Sequence, residues 1–199
     1  MRIATLTFLL GCCLEIQAQD TVRLSVQFVG DIMQHESQMK AAFDPLLDQY
    51  DYAATFQHIK PILSAADVTI GNLELTLAAK PYSGYPQFSA PDELLLAVRD
   101  AGFDVLVTAN NHSADRGRKG IERTIHMLDS IGIEHTGTFT DTLEWLNNHP
   151  LVIQKNSMSL SLLNYTYGTN GMPVRFPNIV NRIDTLQIKK DLEIGRAHV

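Results

Sequence analysis

Three short apolar runs in this chain each stop at a polar cluster. Val22 to Phe28 leads to Gly30-Asp31, Val68-Thr69-Ile70 to Gly71-Asn72-Leu73-Glu74, and Phe103 to Val107 to Thr108-Ala109-Asn110-Asn111-His112. Helical patterns lie between the runs, and this alternation constrains the fold more than any other feature. Strands separated by helices pair in parallel and form layered α/β structures. In the first run Val22, Leu24, Val26 and Phe28 alternate with polar residues, which predicts a strand with one buried face. The third run is apolar almost throughout, as expected when both faces are covered.

The intervening segments carry helix signals of different strength. Residues 53–65 place Phe56, Ile59 and Leu63 on one side, with Pro61 as an expected kink. A second helix starts at Pro91, turns Leu94, Leu95 and Val98 inward, and stops at Gly102. The clearest runs from Lys119 to Ser130: Ile121, Ile125, Leu128 and Ile131 recur at spacings of four, three and three, and Gly132 closes it. Further strands are predicted over 133–136, 151–154 and 159–164, with helices over 142–147 and 184–193. The expected fold is an α/β layered sandwich with a largely parallel central sheet.

The chain has 199 residues, enough for one domain at roughly 100–200 residues each. Its formal net charge of −6 and the lack of any long basic run exclude nucleic acid as the main partner. Residues 1–18 read as a secretory signal peptide: Arg2, then the apolar stretch Ile3 to Leu10, then a small residue at Ala18 for cleavage. Export to the periplasm or the extracellular space follows, with residues 19–199 as the mature chain. Both cysteines, Cys12 and Cys13, would leave with the leader, so thiolate catalysis and cysteine zinc sites are not expected. Leu9-Leu10-Gly11-Cys12 also fits a lipoprotein box, which would keep Cys12 as a lipid anchor.

In open α/β sheets ligands bind in the crevice at the carboxyl ends of the strands. The three polar clusters fall there, bringing Asp31, Glu74, Asn111 and His112 towards one place, with His35 able to join if its loop curls back. Carboxylate, amide and imidazole donors suit a divalent metal such as Mn, Zn, Mg or Fe. Singly, each has a plainer role: Asp31 as a turn former, Glu74 as a solvated strand residue, Asn72 and Asn110 as loop amides, His112 as a structural histidine. Three clusters at equivalent positions favour the joint reading. His58, His126, His135 and His149 lack polar company at suitable spacing and are set aside. The Gly/Asn loop Asn164 to Gly171 follows a strand, and Tyr165 and Tyr167 are read as lining a substrate groove together with Asn72 and Asn110.

Gly30-Asp31-Ile32-Met33, Gly71-Asn72-Leu73-Glu74 and Ala109-Asn110-Asn111-His112-Ser113-Ala114-Asp115-Arg116-Gly117 resemble the CapA family of bacterial capsule-synthesis proteins, associated with poly-γ-glutamate. The resemblance runs from about Val22 to Glu193. It implies a fold related to the calcineurin-like metallophosphoesterases, a two-sheet sandwich flanked by helices with a metal site at the strand ends. It further implies that Asp31, Glu74 and Asn111 are metal ligands, that His35 stands near a ligand position, and that His112 is the catalytic residue facing the scissile group. The family continues with a His-Trp-Gly and a Gly-x-His-x-His segment, neither of which occurs here. The chain is therefore expected to be the N-terminal part of a CapA-type domain, incomplete at the C-terminus, with residues 194–199 foreign to it. Two function classes follow. One is a metal-dependent hydrolase acting on phosphoester or amide bonds of an anionic surface polymer. The other is a non-catalytic polymer-binding or scaffold component working with envelope biosynthesis proteins.

Overall fold

The structure is a computed structural model and describes residues 21–198. The leader reading and both cysteines lie outside the described residues.

Strand β1 (Val26–Ile32) is followed by helix α1 (Glu36–Ala42), the short hairpin of β2 (Phe43–Asp44) and β3 (Gln49–Tyr50), and helices α2 (Ala53–Phe56) and α3 (Lys60–Leu63). Then come β4 (Val68–Leu73), α4 (Asp92–Ala101), β5 (Val105–Val107), α5 (Gly117–Ile131) and β6 (Glu134–Thr136). The chain continues through β7 (Thr138–Phe139), α6 (Thr142–Asn148), the hairpin of β8 (Leu151–Lys155) and β9 (Met158–Leu162), β10 (Ile179–Val180) and α7 (Thr185–His198).

The expected parallel sheet is present, with strand order β1-β4-β5-β6 and every neighbouring pair parallel. Strand parity divides its side chains between two cores. Leu73 and Leu106 point towards α4 and α5, joining Leu94, Leu95, Val98 and Leu128 in one cluster. Val68, Ile70 and Val105 point the other way, where Leu151 and Leu162 of the β8–β9 hairpin cover them. Helices therefore lie on one face and a second, two-stranded layer on the other. Arg123 of α5 grips Asp92 at the start of α4 through two bonds of 2.8 and 2.7 Å, locking the two helices together. Both helices end where expected, at Gly102 and Gly132 in left-handed conformation.

Some expectations need correction. The first strand runs from Val26 to Ile32, so Asp31 sits inside its end rather than after it. Its supposed buried face is open at Val22 and Phe28, which are 50% and 69% exposed. The reason is position: β1 is a sheet edge, and only Leu24 and Val26 reach the hairpin layer. The kinked helix over 53–65 is two short helices, and Pro61 opens the second instead of bending one. A proline without an N–H fits a first turn, where no partner is required. Helix α1 and the β2–β3 hairpin were not legible from the apolar pattern.

Candidate functional site

The carboxylate pair is built by an irregularity in β1. Phe28 pairs with Ile70 and Asp31 with Asn72, so three steps in β1 match two in β4. The extra residue is a bulge, and it reverses the side-chain alternation beyond it. Without it Asp31 would point with Val29 towards the helices; with it, Asp31 shares a face with its partner Asn72. Glu74, two residues further, takes that face as well. The Asn72 amide then donates to both carboxylates, 2.8 Å to Asp31 Oδ1 and 2.9 Å to Glu74 Oε2.

Burial and the neighbouring negative charge of Asp31 push the Glu74 carboxyl above its ordinary range, while the charge of His112 acts in the opposite direction. Two like charges gathered at one half-buried spot are costly. A divalent cation would relieve that cost, and the oxygen donors present suit Mn, Mg, Zn or Fe. Asp31 and Glu74, which meet at the Asn72 amide, are the residues that could hold such an ion.

The third cluster is positioned by the loop after β5. Ser113 ties it internally: its one hydroxyl proton has Thr108 O at 2.6 Å and Asn110 O at 2.7 Å as acceptors, and its oxygen accepts from Asn110 N–H at 2.8 Å. Asn110 then stitches the loop to the end of β4, donating to Leu73 O at 2.8 Å and to Asn72 Oδ1 at 3.0 Å. Asn72 and Asn110, expected in a substrate groove, thus spend their amides on internal bonds. They hold the site in shape. Asn111, the next residue, lines an open cleft with His112, Gln87 and Asn170.

His112 is buried, and its Nδ1 lies 2.8 Å from Asp115 Oδ2. The same carboxylate oxygen accepts Phe88 N–H at 2.8 Å. Asp115 is 3% exposed, and burial raises its carboxyl above the usual range despite these bonds and the charges of His112 and Arg116. With Nδ1 committed to a carboxylate, Nε2 is the nitrogen that faces outward. Asp115 stood in the sequence motif, and its spacing of three from His112 was the signal for this pair.

His35 is placed differently from its expected role. It precedes α1, its backbone N–H donates to Gln38 Oε1 at 2.7 Å, and its ring meets Phe88 edge-on at 5.4 Å. Among the described residues no three His, Cys, Asp or Glu side chains form a metal-binding group, so His35 does not complete one with Asp31 and Glu74. The start of a helix not foreseen in the sequence accounts for its position. Tyr165 and Tyr167 are not among the residues that line the cleft. The Tyr165 hydroxyl donates to Asp191 at 2.7 Å, and Tyr167 is 75% exposed. Two histidines set aside for lack of polar company have it: His135 Nε2 lies 3.0 Å from Asp129, and His149 Nε2 lies 3.1 Å from Asp191. Asp129 lies in the last turn of α5 and Asp191 in α7, beyond β8, β9 and β10, so spacing alone could not show either.

Comparison with known proteins covers most of the chain. The family described as bacterial capsule synthesis protein PGA_cap matches residues 25–193. The capsule biosynthesis protein CapA of Bacillus anthracis is 30% identical over 128 residues, which is 61% of this chain and 30% of that protein. The PGA biosynthesis protein CapA of Bacillus subtilis is 32% identical over 120 residues, 55% of this chain and 30% of its own length. An uncharacterized protein of Sinorhizobium fredii, y4sH, is 38% identical over 91 residues, 41% of this chain and 20% of its own. The chain thus spans about a third or less of the curated relatives it matches. The matched segment contains all three strand-end clusters, and by it the chain belongs to the PGA_cap family of bacterial capsule synthesis proteins.

Proposed function

We propose that this protein is an exported, metal-dependent hydrolase of the cell envelope. It acts on amide or phosphoester bonds in the synthesis or release of an anionic surface polymer such as poly-γ-glutamate. The observation that carries the reading is the convergence of Asp31 and Glu74 on one amide at the strand ends, beside a loop holding the buried His112–Asp115 pair. The names of the Bacillus relatives, capsule and PGA biosynthesis proteins, point to the polymer. The leader pattern of residues 1–18 supports export, and partners would be other envelope biosynthesis proteins.

In this reading Asp31, Glu74 and Asn111 hold the ion, which when bound polarises the scissile group and lowers the pKa of a water. The remaining work falls to the chain. Asn72 orients both carboxylates, and Asn110 fixes the distance between the two strand ends. Asp115 holds the His112 ring so that Nε2 can pass a proton to the leaving group. Hydrolysis breaks the bond from acyl carbon or phosphorus to the leaving atom; water supplies hydroxyl to the first and a proton to the second.

Titration calorimetry with Mn2+ on the full chain tests the metal reading. Asp31→Asn and Glu74→Gln should each weaken binding by about 10-fold or more, since loss of a direct ligand exceeds loss of its support. His112→Ala should keep Mn2+ affinity and abolish hydrolysis of bis(p-nitrophenyl) phosphate and γ-linked glutamate oligomers. Unchanged Mn2+ binding in both carboxylate variants would sink the metal centre. Binding of the oligomers without turnover would leave a polymer-binding protein.

A further inference from the structure

The loop between β9 and β10 brings an unforeseen side chain to His112. Thr169–Met172 forms a tight turn, closed by Met172 N–H to Thr169 O at 2.8 Å and by Thr169 Oγ1 to Met172 O at 2.7 Å. Its central pair is Asn170-Gly171, with φ of 49° and 76°. An Asn-Gly pair is what a turn with two positive φ values favours. The turn is anchored from outside by Arg182, which donates to Thr169 Oγ1 at 3.1 Å. It is also held to the opposite wall of the cleft, where Gln87 Nε2 contacts Met172 Sδ at 3.4 Å. A side chain at this tip is therefore held in place.

Turn chemistry explains an asparagine at that position but not where its amide goes. The Asn170 Nδ2 lies 3.5 Å from His112 Nε2, the nitrogen left open by Asp115. That distance is at the limit of a hydrogen bond, so little is lost when the amide turns to a ligand oxygen seated beside the pair in the cleft. Asn170 is exposed on its outer side, and the cleft it shares with His112 and Asn111 is open to solvent.

We propose that Asn170 is a substrate-contacting residue, whose amide donates to an oxygen of the carbonyl or phosphoryl group under attack while His112 Nε2 faces the same group. The two sources share one chemistry, a developing negative charge on oxygen, for which a fixed amide donor is suited. This inference rests on the hydrolase reading above. It replaces the loop's tyrosines by its asparagine as the residue in the groove.

The test uses the full chain with Mn2+ and three probes: bis(p-nitrophenyl) phosphate, a γ-linked glutamate oligomer, and inorganic phosphate. Asn170→Gly keeps the left-handed turn and removes only the amide. It should slow hydrolysis by about 100-fold, the scale of losing one oxyanion donor, with melting temperature and Mn2+ affinity unchanged. Asn170→Asp tolerates the same backbone but cannot donate, and should lose a similar factor. In 15N spectra of the chain with diamagnetic Mg2+ in place of Mn2+, inorganic phosphate should shift the Asn170 side-chain amide saturably. Wild-type rates in Asn170→Gly would overturn the inference and leave the hydrolase reading intact. If the wild type hydrolyses neither probe, the hydrolase reading fails and the phosphate titration decides Asn170 alone. A saturable shift then supports the contact, and an unmoved amide resonance overturns it.

Discussion

His112 has one ring nitrogen committed and one open, and Asp115 decides which. Its Oδ2 accepts both the imidazole and Phe88 N–H at 2.8 Å; an amide oxygen can accept both as well, but without the charge that strengthens them, and its NH2 would be buried in the place of Oδ1. Asp115→Asn should therefore slow hydrolysis by about 10–100-fold, as loss of an orienting partner does. It should also lower stability by about 1–3 kcal/mol through an unsatisfied buried group, read by steady-state rates and urea unfolding. Equal rates in variant and wild type would show that the ring needs no orienting. At this scale the sequence was partly legible. The nearness of Asp31 and Glu74 was legible because both stand at the carboxyl ends of neighbouring parallel strands, and they do meet at the Asn72 amide. The division of labour among the asparagines was hidden, since Asn72, Asn110 and Asn111 look alike until hydrogen bonds assign two of them inward. Asn170 was hidden for a related reason: an Asn-Gly pair predicts a turn but not what the turn faces.

At the scale of elements, strands and helices followed from period and punctuation, and the exceptions have local causes. The α5 pattern was unambiguous because Ile121, Ile125 and Leu128 are all buried. The β1 pattern misled because a bulge reverses alternation without leaving a mark in composition, and because an edge strand leaves Phe28 uncovered. The approach of the β6–β7 corner to the loop after β5 was equally unmarked. Gly137, between β6 and β7, has φ of 118°, and a Cβ there would stand 2.4 Å from Ala109 N and 2.1 Å from Asn164 Oδ1. Those two atoms are themselves bonded at 2.6 Å, joining the loop after β5 to the loop after β9. Gly137→Ala must strain the backbone and push this junction apart. A cost of about 1–3 kcal/mol is expected for each of strain and overpacking, with chemical-shift changes reaching Asn110 and His112. A substitution that leaves stability and those resonances unmoved would show the corner to be slack.

At the scale of the whole molecule, the question is what fastens α7, the last described element, to the sheet layers. The answer is a buried polar knot. Asp191 of α7 is fully buried; it accepts from Tyr165 at 2.7 Å and from Gln187 at 2.8 Å, and lies 3.1 Å from His149 Nε2. Asn181 Nδ2 stands 3.3 Å from His149 Nδ1, which assigns the ring proton to Nε2, facing Asp191. Trp145 of α6 stacks on the imidazole at 5.3 Å. The knot thus joins α6, the start of the Asn170 loop and α7. Burial alone would raise the Asp191 carboxyl, but the hydrogen bonds from Tyr165 and Gln187 and the close approach of His149 outweigh it, so it lies below its ordinary 3.8. A carboxyl depressed on folding stabilises the native state above its unfolded value and loses that contribution as pH falls through the native one. The chain should therefore lose stability as pH drops below about 4, with α7 loosening first. Asp191→Ala should cost about 3–5 kcal/mol by orphaning the buried partners, and its stability should no longer fall with Asp191 on the acid side. Tyr165→Phe, which removes one hydrogen bond and keeps the ring, should cost about 1 kcal/mol and shrink the acid-side drop. Urea unfolding of the three proteins from pH 7 down to pH 3 reads both quantities. Parallel curves for all three would mean that Asp191 does not govern the acid limb, and that α7 is held by its apolar contacts with the β8–β9 hairpin instead.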